Sequence, residues 1–217
     1  LVVDSKRSGV SKAARRYERC VLPRASDVIK DVLSLLTSIL AEDPGADLSE
    51  CFVMMVADFR DAFFINPLAP EERKYFCVQF GGAYYCFLRT TQGSRGAPLT
   101  WARLAALVSR LTQAALGDEG RLNTYVDDPL LAVASSSAFA SRRVLALTIL
   151  LWSALKLPLS LEKAKVGQNL LWTSAEFSLI CAPEWALRVR VKQELLEDAK
   201  LVASSLLSSN VVPLKSL

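Results

Sequence analysis

The sequence predicts an α+β fold in which an antiparallel sheet is flanked by helices. Apolar residues recur at helical spacing in long segments, and between them lie short runs rich in aromatic and β-branched residues. These segments follow the order helix, strand, hairpin, helix, hairpin, helix, hairpin, helix, which favours hairpin-connected strands over parallel crossovers. Apolar residues make up 52% of the 217-residue chain, which is enough to form a substantial core.

The first helix and the first strand are predicted from a cap and an apolar run. Ser26 and Asp27 are expected to cap a helix over 28–40, since short polar side chains favour the position before a helix. The run 51–57 is continuously apolar and is bounded by polar residues, so it predicts a buried strand that ends at Asp58.

The later elements follow from glycine, proline and apolar spacing. Gly81-Gly82 separates two strand-like segments, 75–80 and 83–88, which predict a hairpin. Pro98 is expected in the first turn of a helix that continues to about Leu116. The remaining predictions are strands at 122–126 and 130–134, a helix at 141–155, a hairpin region at 170–180 and a final helix at 191–207.

The longest apolar stretch, 144–155, is interrupted by Thr148 and Ser153 and ends at Lys156. It is too short to span a bilayer and predicts a buried helix. The chain begins with Leu1 and carries no recognisable signal peptide, so we interpret it as a segment of a longer polypeptide. An intracellular location, cytoplasmic or nuclear, without membrane attachment is therefore expected.

Composition narrows the chemistry. The 26 basic and 22 acidic residues give a net charge of +4, which is compatible with a nucleic-acid partner but does not demand one. The absence of histidine excludes His-based triads and most zinc sites. The five cysteines are widely spaced without a CxxC pair, so we expect buried reduced thiols and neither a disulfide framework nor a zinc knuckle.

Three aspartates are the candidate catalytic residues. Asp58 ends the predicted strand, and Asp127 and Asp128 lie together at the tip of a predicted hairpin with apolar flanks. Adjacent carboxylates in an apolar setting are costly unless a cation neutralises them, and carboxylates without Cys or His suit Mg²⁺ or Mn²⁺. Two such ions about 3.5–4 Å apart could drive phosphoryl transfer. The alternative is an ordinary Asp-rich turn.

A series of motifs in order resembles those of reverse transcriptases. Tyr125-Val126-Asp127-Asp128 is similar to the family's catalytic tetrad. The other similarities are Asp58 to Phe76 with the first palm motif, Gln92 to Pro98 with the Gln-Gly loop, Leu159 to Gly167 with the fourth motif, Leu170 to Phe177 with the primer-grip hairpin, and Val3-Asp4 and Leu22-Pro23-Arg24 with the end of the fingers. Agreement of this many ordered motifs from about Leu1 to Leu207 is far more specific than any one motif.

The resemblance implies a polymerase palm at 51–190, with a fingers hairpin inserted at about 70–90. Partial fingers are expected at 1–50 and the start of a thumb at 191–217. A finer resemblance is to retroelements of the DIRS type and of protists. The basic fingers residues that grip the triphosphate in the family precede Val3-Asp4, so the chain alone is expected to bind substrate weakly and to be inactive or poorly active.

The resemblance also assigns roles to individual residues. Two Mg²⁺ ions would be held by Asp58, Asp127, Asp128 and the carbonyl of Phe59. The incoming nucleotide would be bound by Asp61, Ala62, Phe63, Gln92, Gly93 and Lys163, and the primer by Tyr125, Val126 and Trp172. Phe63 would block a ribose 2′-hydroxyl, and Lys163 would donate a proton to pyrophosphate. The alternatives are core positions for Phe63 and Trp172, a plain loop at Gln92-Gly93, and a solvated Lys163.

The implied activity is RNA-directed DNA polymerisation, with an RNA or DNA template, a DNA primer and dNTPs as partners. One alternative is an RNA-dependent RNA polymerase, which shares the palm and the paired aspartates. Phe63 argues against it, because an RNA polymerase needs space for the 2′-hydroxyl. The other alternative is a non-catalytic, domesticated or decaying retroelement fragment that binds nucleic acid through its Lys and Arg side chains.

Overall fold

The computed structural model describes residues 20–207, so the predictions for Val3-Asp4, for the first part of the partial fingers and for the thumb residues 208–217 lie outside it. Its centre is a four-stranded antiparallel sheet with the order β4-β5-β1-β6. These strands are β1 Phe52–Val56, β4 Gly120–Tyr125, β5 Asp128–Ala134 and β6 Lys165–Gly167. Together with the helices, this arrangement confirms the predicted α+β class.

Two smaller antiparallel sheets and five α-helices complete the described fold. A two-stranded sheet contains β2 Cys77–Phe80 and β3 Ala83–Cys86, and a three-stranded sheet contains β7 Asn169–Trp172, β8 Ala175–Ile180 and β9 Ala186–Val191. The helices are α1 Ala25–Glu42, α2 Leu48–Cys51, α3 Ala97–Leu116, α4 Ala138–Ala154 and α5 Gln193–Leu207.

Strand β1 is continuously apolar because the sheet is covered on both faces. Successive side chains of a strand point to opposite faces, and Met54 lies in one core while Met55 lies in the other. Strand β5 divides in the same way, with Leu130 in the first core and Leu131 in the second. The predicted run 51–57 is therefore confirmed as a buried strand, although its first residue belongs to α2.

The helices cover the two faces of the central sheet. Helix α1 packs on one face through Val28, Val32 and Leu36, and the β7–β8 hairpin shares that core. Helices α3 and α4 cover the other face, where both contribute a fully buried tryptophan. The end of the sheet that carries the predicted catalytic residues is thereby fixed between two hydrophobic cores.

The start of α1 differs from the prediction. The helix begins at Ala25, so Ser26 and Asp27 lie inside its first turn and neither is the cap. The Asp27 carboxylate instead accepts the backbone N–H of Arg24 at 2.8 Å. An acidic side chain three residues into a helix can satisfy the amide at the N-cap, and this signature is hard to distinguish by sequence from a cap at the Asp itself.

The β2–β3 hairpin forms where Gly81-Gly82 predicted it, but the expectation of buried reduced thiols is wrong for two of the cysteines in it. Cys77 and Cys86 face each other in the hairpin register and form a disulfide. Both are exposed, as is Cys181, while Cys51 is buried. Residues that look unpaired by linear spacing become partners because the two-glycine turn brings them opposite each other.

Short elements were missed. Strand β6 adds an edge to the central sheet, β9 pairs with β8, and α2 is a four-residue helix whose N-cap Asp47 accepts the Ser49 N–H. The final helix begins at Gln193, since 186–191 forms β9. A strand of three residues with mostly polar neighbours carries too little periodicity to be recognised in a sequence.

Helix α4 is not the fully buried helix that its apolar stretch predicted. Val144 and Trp152 face the core, but Leu147 and Leu150 are 56% and 63% exposed. In the described part of the chain, no helix is both long enough and apolar enough to cross a membrane.

Candidate active site

Asp58 follows the end of β1, and backbone hydrogen bonds hold it in position. Its carbonyl oxygen accepts the N–H of Ser160 at 2.9 Å, and the Arg60 N–H donates to the carbonyl of Pro158 at 2.9 Å. These bonds flank a bridge between Phe59 and Leu159. The segment after β1 is therefore fastened to the segment that precedes β6, which places Asp58 beside the predicted fourth motif.

Asp127 and Asp128 lie at the tip of the β4–β5 hairpin, as predicted. Tyr125 pairs with Asp128, so Val126 and Asp127 are the two residues of the turn. Val126 has a φ of 55°, a conformation that costs a β-branched residue about 1–3 kcal/mol unless its surroundings enforce it. A positive φ at the first central position is the pattern of a type II′ turn, which suits the twist of a hairpin.

Three hydrogen bonds hold this turn in place. The indole N–H of Trp101 donates to the carbonyl of Val126 at 2.6 Å, and the Phe59 N–H donates to the carbonyl of Asp127 at 2.8 Å. The indole N–H of Trp172 donates to the carbonyl of Asp128 at 3.0 Å. The strained turn is thus anchored from α3, from the strand end at Asp58 and from the β7–β8 hairpin.

The aspartates differ in their electrostatic surroundings. Burial raises the pKa of Asp58, but hydrogen bonds from Lys163 and Ser160 and the charge of Lys163 outweigh it and hold the pKa below its ordinary value. Burial raises the pKa of Asp127, and the negative charge of Asp58 adds to the effect. Burial also raises the pKa of Asp128, with further contributions from Asp127 and Asp58. The three carboxylates therefore repel one another across one site.

This crowding of negative charge fits a divalent cation. Carboxylate oxygens are the ligands that Mg²⁺ and Mn²⁺ prefer, and mutual repulsion falls when a cation is bound. Among the described residues, however, no group of three His, Cys, Asp or Glu side chains is arranged to hold a metal. One oxygen of Asp58 instead lies 2.9 Å from the ammonium of Lys163. Metal binding by Asp58, Asp127, Asp128 and the Phe59 carbonyl remains a prediction.

The first group of predicted nucleotide-binding residues forms a tight turn after Asp58. Asp61 is exposed with a φ of 54°, and it precedes a 3₁₀ turn at Ala62–Phe64. Ala62 is buried, and Phe63 is half-buried against the core below α3 and α4. The Thr90 hydroxyl donates to the Phe63 carbonyl. Phe63 therefore packs against the core but is not fully buried, so a contact with a nucleotide stays a prediction.

Gln92 and Gly93 lie in an exposed loop that leads into α3, and Gly93 has a φ of 95°. The residues around them are buried and polar. The side chains of Asn66, Thr91 and Ser94 each bury a polar atom that has no hydrogen-bond partner among the described residues. The Thr90 N–H donates to the Asn66 carbonyl at 2.9 Å, which ties this loop to the turn after Asp58. The structure therefore brings the two groups of predicted nucleotide-binding residues together.

The predicted primer-binding residues separate into two kinds. Tyr125 is exposed and Val126 is half-buried at the hairpin tip. Trp172 is only 1% exposed, and it packs against Tyr125 and Phe177. Direct contact between Trp172 and a primer is therefore not available in this arrangement. The core alternative describes it better, and its hydrogen bond to Asp128 gives it a supporting role.

Two residues that sequence reasoning missed also support the site. Trp101 is buried between α3 and the hairpin tip, and Ser160 is buried with its hydroxyl on the Asp58 carboxylate. A signal existed for Trp101, because a buried tryptophan requires an acceptor for its N–H. Ser160 carried none, because a lone serine is more often a surface or turn residue.

Comparison with solved structures shows that the fold is shared with other proteins. The foamy viral protease-reverse transcriptase dRH, solved in complex with double-stranded DNA, matches with a TM-score of 0.57 at 15% identity, over 99% of this chain and 31% of that chain. The foamy viral enzyme in complex with an RNA/DNA hybrid matches with a TM-score of 0.51 at 13% identity, over 69% of this chain and 18% of that chain. These likenesses show a shared fold, and the chain spans less than a third of the length of those proteins.

No curated protein matches the sequence. A family model described as reverse transcriptase (RNA-dependent DNA polymerase) matches residues 8–183, which is more than half of the chain. The match includes the strand end with Asp58, the Gln92-Gly93 loop, the hairpin tip with Asp127-Asp128, and Lys163. The chain therefore belongs to the reverse transcriptase family.

Proposed function

We propose that the chain is the palm of an RNA-directed DNA polymerase, which adds deoxynucleotides to a primer 3′-hydroxyl on an RNA or DNA template. The observation that carries this proposal is the meeting of Asp58, Asp127 and Asp128 at one end of the paired inner strands β1 and β5. Burial and mutual charge raise the pKa of Asp127 and Asp128 even though the charge of Lys163 acts in the opposite direction, as expected of crowded carboxylates. Membership of the family supports the same activity.

In this proposal Asp58, Asp127 and Asp128 hold two Mg²⁺ ions, or Mn²⁺ in their place, and the Phe59 carbonyl supplies a further oxygen. When bound, the ions would activate the 3′-hydroxyl and stabilise the leaving pyrophosphate. The protein itself positions the reactants. The backbone bond between Phe59 and Asp127 holds the strand end against the hairpin tip, so the backbone positions of the three aspartates are fixed relative to one another.

The residues around the aspartates would bind the substrates. Gln92 and Gly93, on the loop joined to the turn of Asp61 and Ala62, would line the nucleotide site, and Lys163 would lie beside its phosphates. Tyr125 and Val126, exposed or half-buried at the hairpin tip, would contact the primer end. A finer assignment to retroelements of the DIRS or protist type rests on the sequence of the tetrad and the four residues after it, 125–132.

Primer extension on an RNA template tests the catalytic assignment. Asp127→Asn should lower the extension rate at least about 100-fold, because metal-centred charge stabilisation contributes several kcal/mol and about 1.4 kcal/mol is tenfold in rate. Asp118→Asn is the matched control, since that exposed carboxylate lies at the opposite end of β4. Extension that survives Asp127→Asn would contradict the assignment, and no extension by wild type with its flanking domains would favour a non-catalytic fragment.

Phe63 tests the preference for deoxynucleotides. Phe63→Val should raise ribonucleotide incorporation by about tenfold or more, because space opens for the 2′-hydroxyl. Phe64→Val is the control, since Phe64 lies in the same 3₁₀ turn and is also half-buried. The ratio of rNTP to dNTP incorporation is the measurement. An unchanged ratio in Phe63→Val would remove the reason to prefer DNA over RNA synthesis.

A further inference from the structure

Lys163 makes a contact that joins two distant parts of the chain. Its Nζ lies 2.9 Å from Oδ2 of Asp58, across a sequence separation of 105 residues. Lys163 ends the 3₁₀ turn Leu161–Lys163, which is tied to the segment after β1 through Ser160. The ion pair is therefore set by the backbone frame of the site and does not result from a chance meeting of two surface side chains.

The two partners are unequally accessible. The side chain of Asp58 is 19% exposed, while that of Lys163 is 66% exposed. A lysine carries its charge on a flexible four-carbon stem, so Lys163 can leave the contact for solvent without disturbing either core. Asp58 has no such freedom, because its backbone is bonded to Ser160 and its neighbour Phe59 is buried between Trp101 and Trp152.

The charge of Lys163 acts on the whole site. It stabilises the ionised form of Asp58, and at longer range that of Asp127 and Asp128. A divalent ion at these carboxylates would carry twice that charge into the same place. The ammonium and the ion would repel each other at close range, and both would need an oxygen of Asp58.

We propose that Lys163 is a displaceable counter-ion, which holds Asp58 until a divalent cation takes that carboxylate and drives the ammonium away. This inference rests on the proposed metal centre and adds a competition that the proposed function does not require. Lys163 acts through Asp58 and is in this respect a positioning residue. Replacing Lys163 by an uncharged residue removes its favourable contact with Asp58. The affinity of the site for a divalent ion should nevertheless increase.

Direct Mn²⁺ binding to the full-length chain, measured by the loss of the free-ion electron paramagnetic resonance signal without nucleic acid or nucleotide, tests the competition. Lys163→Gln should bind Mn²⁺ about five- to tenfold more tightly than wild type. Lys163→Arg, which keeps the charge, should not gain this affinity. Lys165→Gln is the matched control, because it removes an equal charge from a residue only two positions after Lys163. Lys165 lies on strand β6, which follows directly.

Three results would overturn the inference. Equal or weaker binding by Lys163→Gln would show that Lys163 does not compete for Asp58. An equal gain in Lys165→Gln would show a general charge effect without displacement. Binding that Asp127→Asn leaves unchanged would overturn the metal centre itself, which separates failure of the proposed function from failure of the competition.

Thermal unfolding provides a second measurement, which also reports whether a variant is folded. The rise in melting temperature on adding Mg²⁺ to protein in chelator should be larger for Lys163→Gln than for wild type, because binding to the folded state stabilises it. A smaller or equal rise in a variant with a normal circular dichroism spectrum would contradict the proposal.

Discussion

Two buried tryptophans allow the support of the active-site turn to be separated from general stability. Trp101 and Trp152 are 1% and 0% exposed, and both pack edge-on against Phe59. Trp101 donates its indole N–H to the carbonyl of Val126 at 2.6 Å, whereas Trp152 donates to the Thr112 hydroxyl at 2.8 Å. The two residues therefore have similar packing but differ in which part of the fold their hydrogen bond supports.

Replacement of either tryptophan by phenylalanine removes one hydrogen bond and part of a ring. An unpaired buried acceptor costs about 1–3 kcal/mol and the space left by the smaller ring about 1 kcal/mol or more, so each variant should lose about 2–4 kcal/mol of unfolding free energy. Only Trp101→Phe should also release the strained turn at Val126. Because small displacements of reacting groups cost up to about 100-fold in rate, primer extension should fall about 10- to 100-fold in that variant.

Urea unfolding and primer extension at equal concentrations of folded protein are the two measurements. Trp152→Phe should match Trp101→Phe in unfolding free energy. Its primer extension rate should stay within about threefold of wild type, which corresponds to a change of less than about 1 kcal/mol in activation free energy. Equal losses of extension in both variants would refute the reasoning, because the hydrogen bond to the turn would then have no specific role.

Two further predictions concern the backbone and the disulfide. Val126→Gly should leave the free energy of unfolding unchanged or raise it by up to about 1 kcal/mol, because glycine adopts the φ of 55° without strain. The control Val53→Gly in β1 should lower the free energy of unfolding by about 2 kcal/mol. A loss above about 1 kcal/mol in Val126→Gly, measured by urea unfolding, would contradict the strain. Cys77→Ser should lower amide protection across β2–β3 and leave β1 unchanged in hydrogen exchange. Within the described residues this sheet consists of two strands, and the variant loses their cross-link through Cys86. Unchanged protection of β2–β3 would show that the disulfide does not stabilise the hairpin.

The sequence predicted the parts of the fold that local patterns determine. Strands β1 and β5 were found because both faces of the central sheet are buried at these positions, and this produces continuous apolar runs. Helix α3 was found because Pro98 and apolar spacing agree. The edge strand β6 and the short helix α2 were missed, since their formation depends on neighbours that are distant in sequence. The over-prediction of burial in α4 has the same origin, because apolar content does not show which neighbour covers each face.

The site was predicted as a set of residues but not as a set of contacts. The motifs brought Asp58, Asp127 and Asp128 together correctly, because the strand end and the hairpin tip are adjacent in an antiparallel sheet. The disulfide of Cys77 with Cys86 could have been read from the hairpin register once Gly81-Gly82 was accepted as the turn. The wide spacing of the cysteines and the expected intracellular location predicted reduced thiols. The pairing register of the hairpin, which predicts the disulfide, was not considered.

The supporting contacts escaped prediction for a physical reason that also explains their importance. The turn at Val126 is unfavourable by itself, and hydrogen bonds from Trp101, Phe59 and Trp172 to carbonyl groups of residues 126–128 add to the β4–β5 pairing that holds it. The acceptors are backbone carbonyls, which carry no residue identity, so a motif can indicate a donor but not its acceptor. A family motif therefore identifies the carboxylates, while the precision of their placement depends on residues from three other elements. Substitutions at those positions should alter activity even where every aspartate is retained.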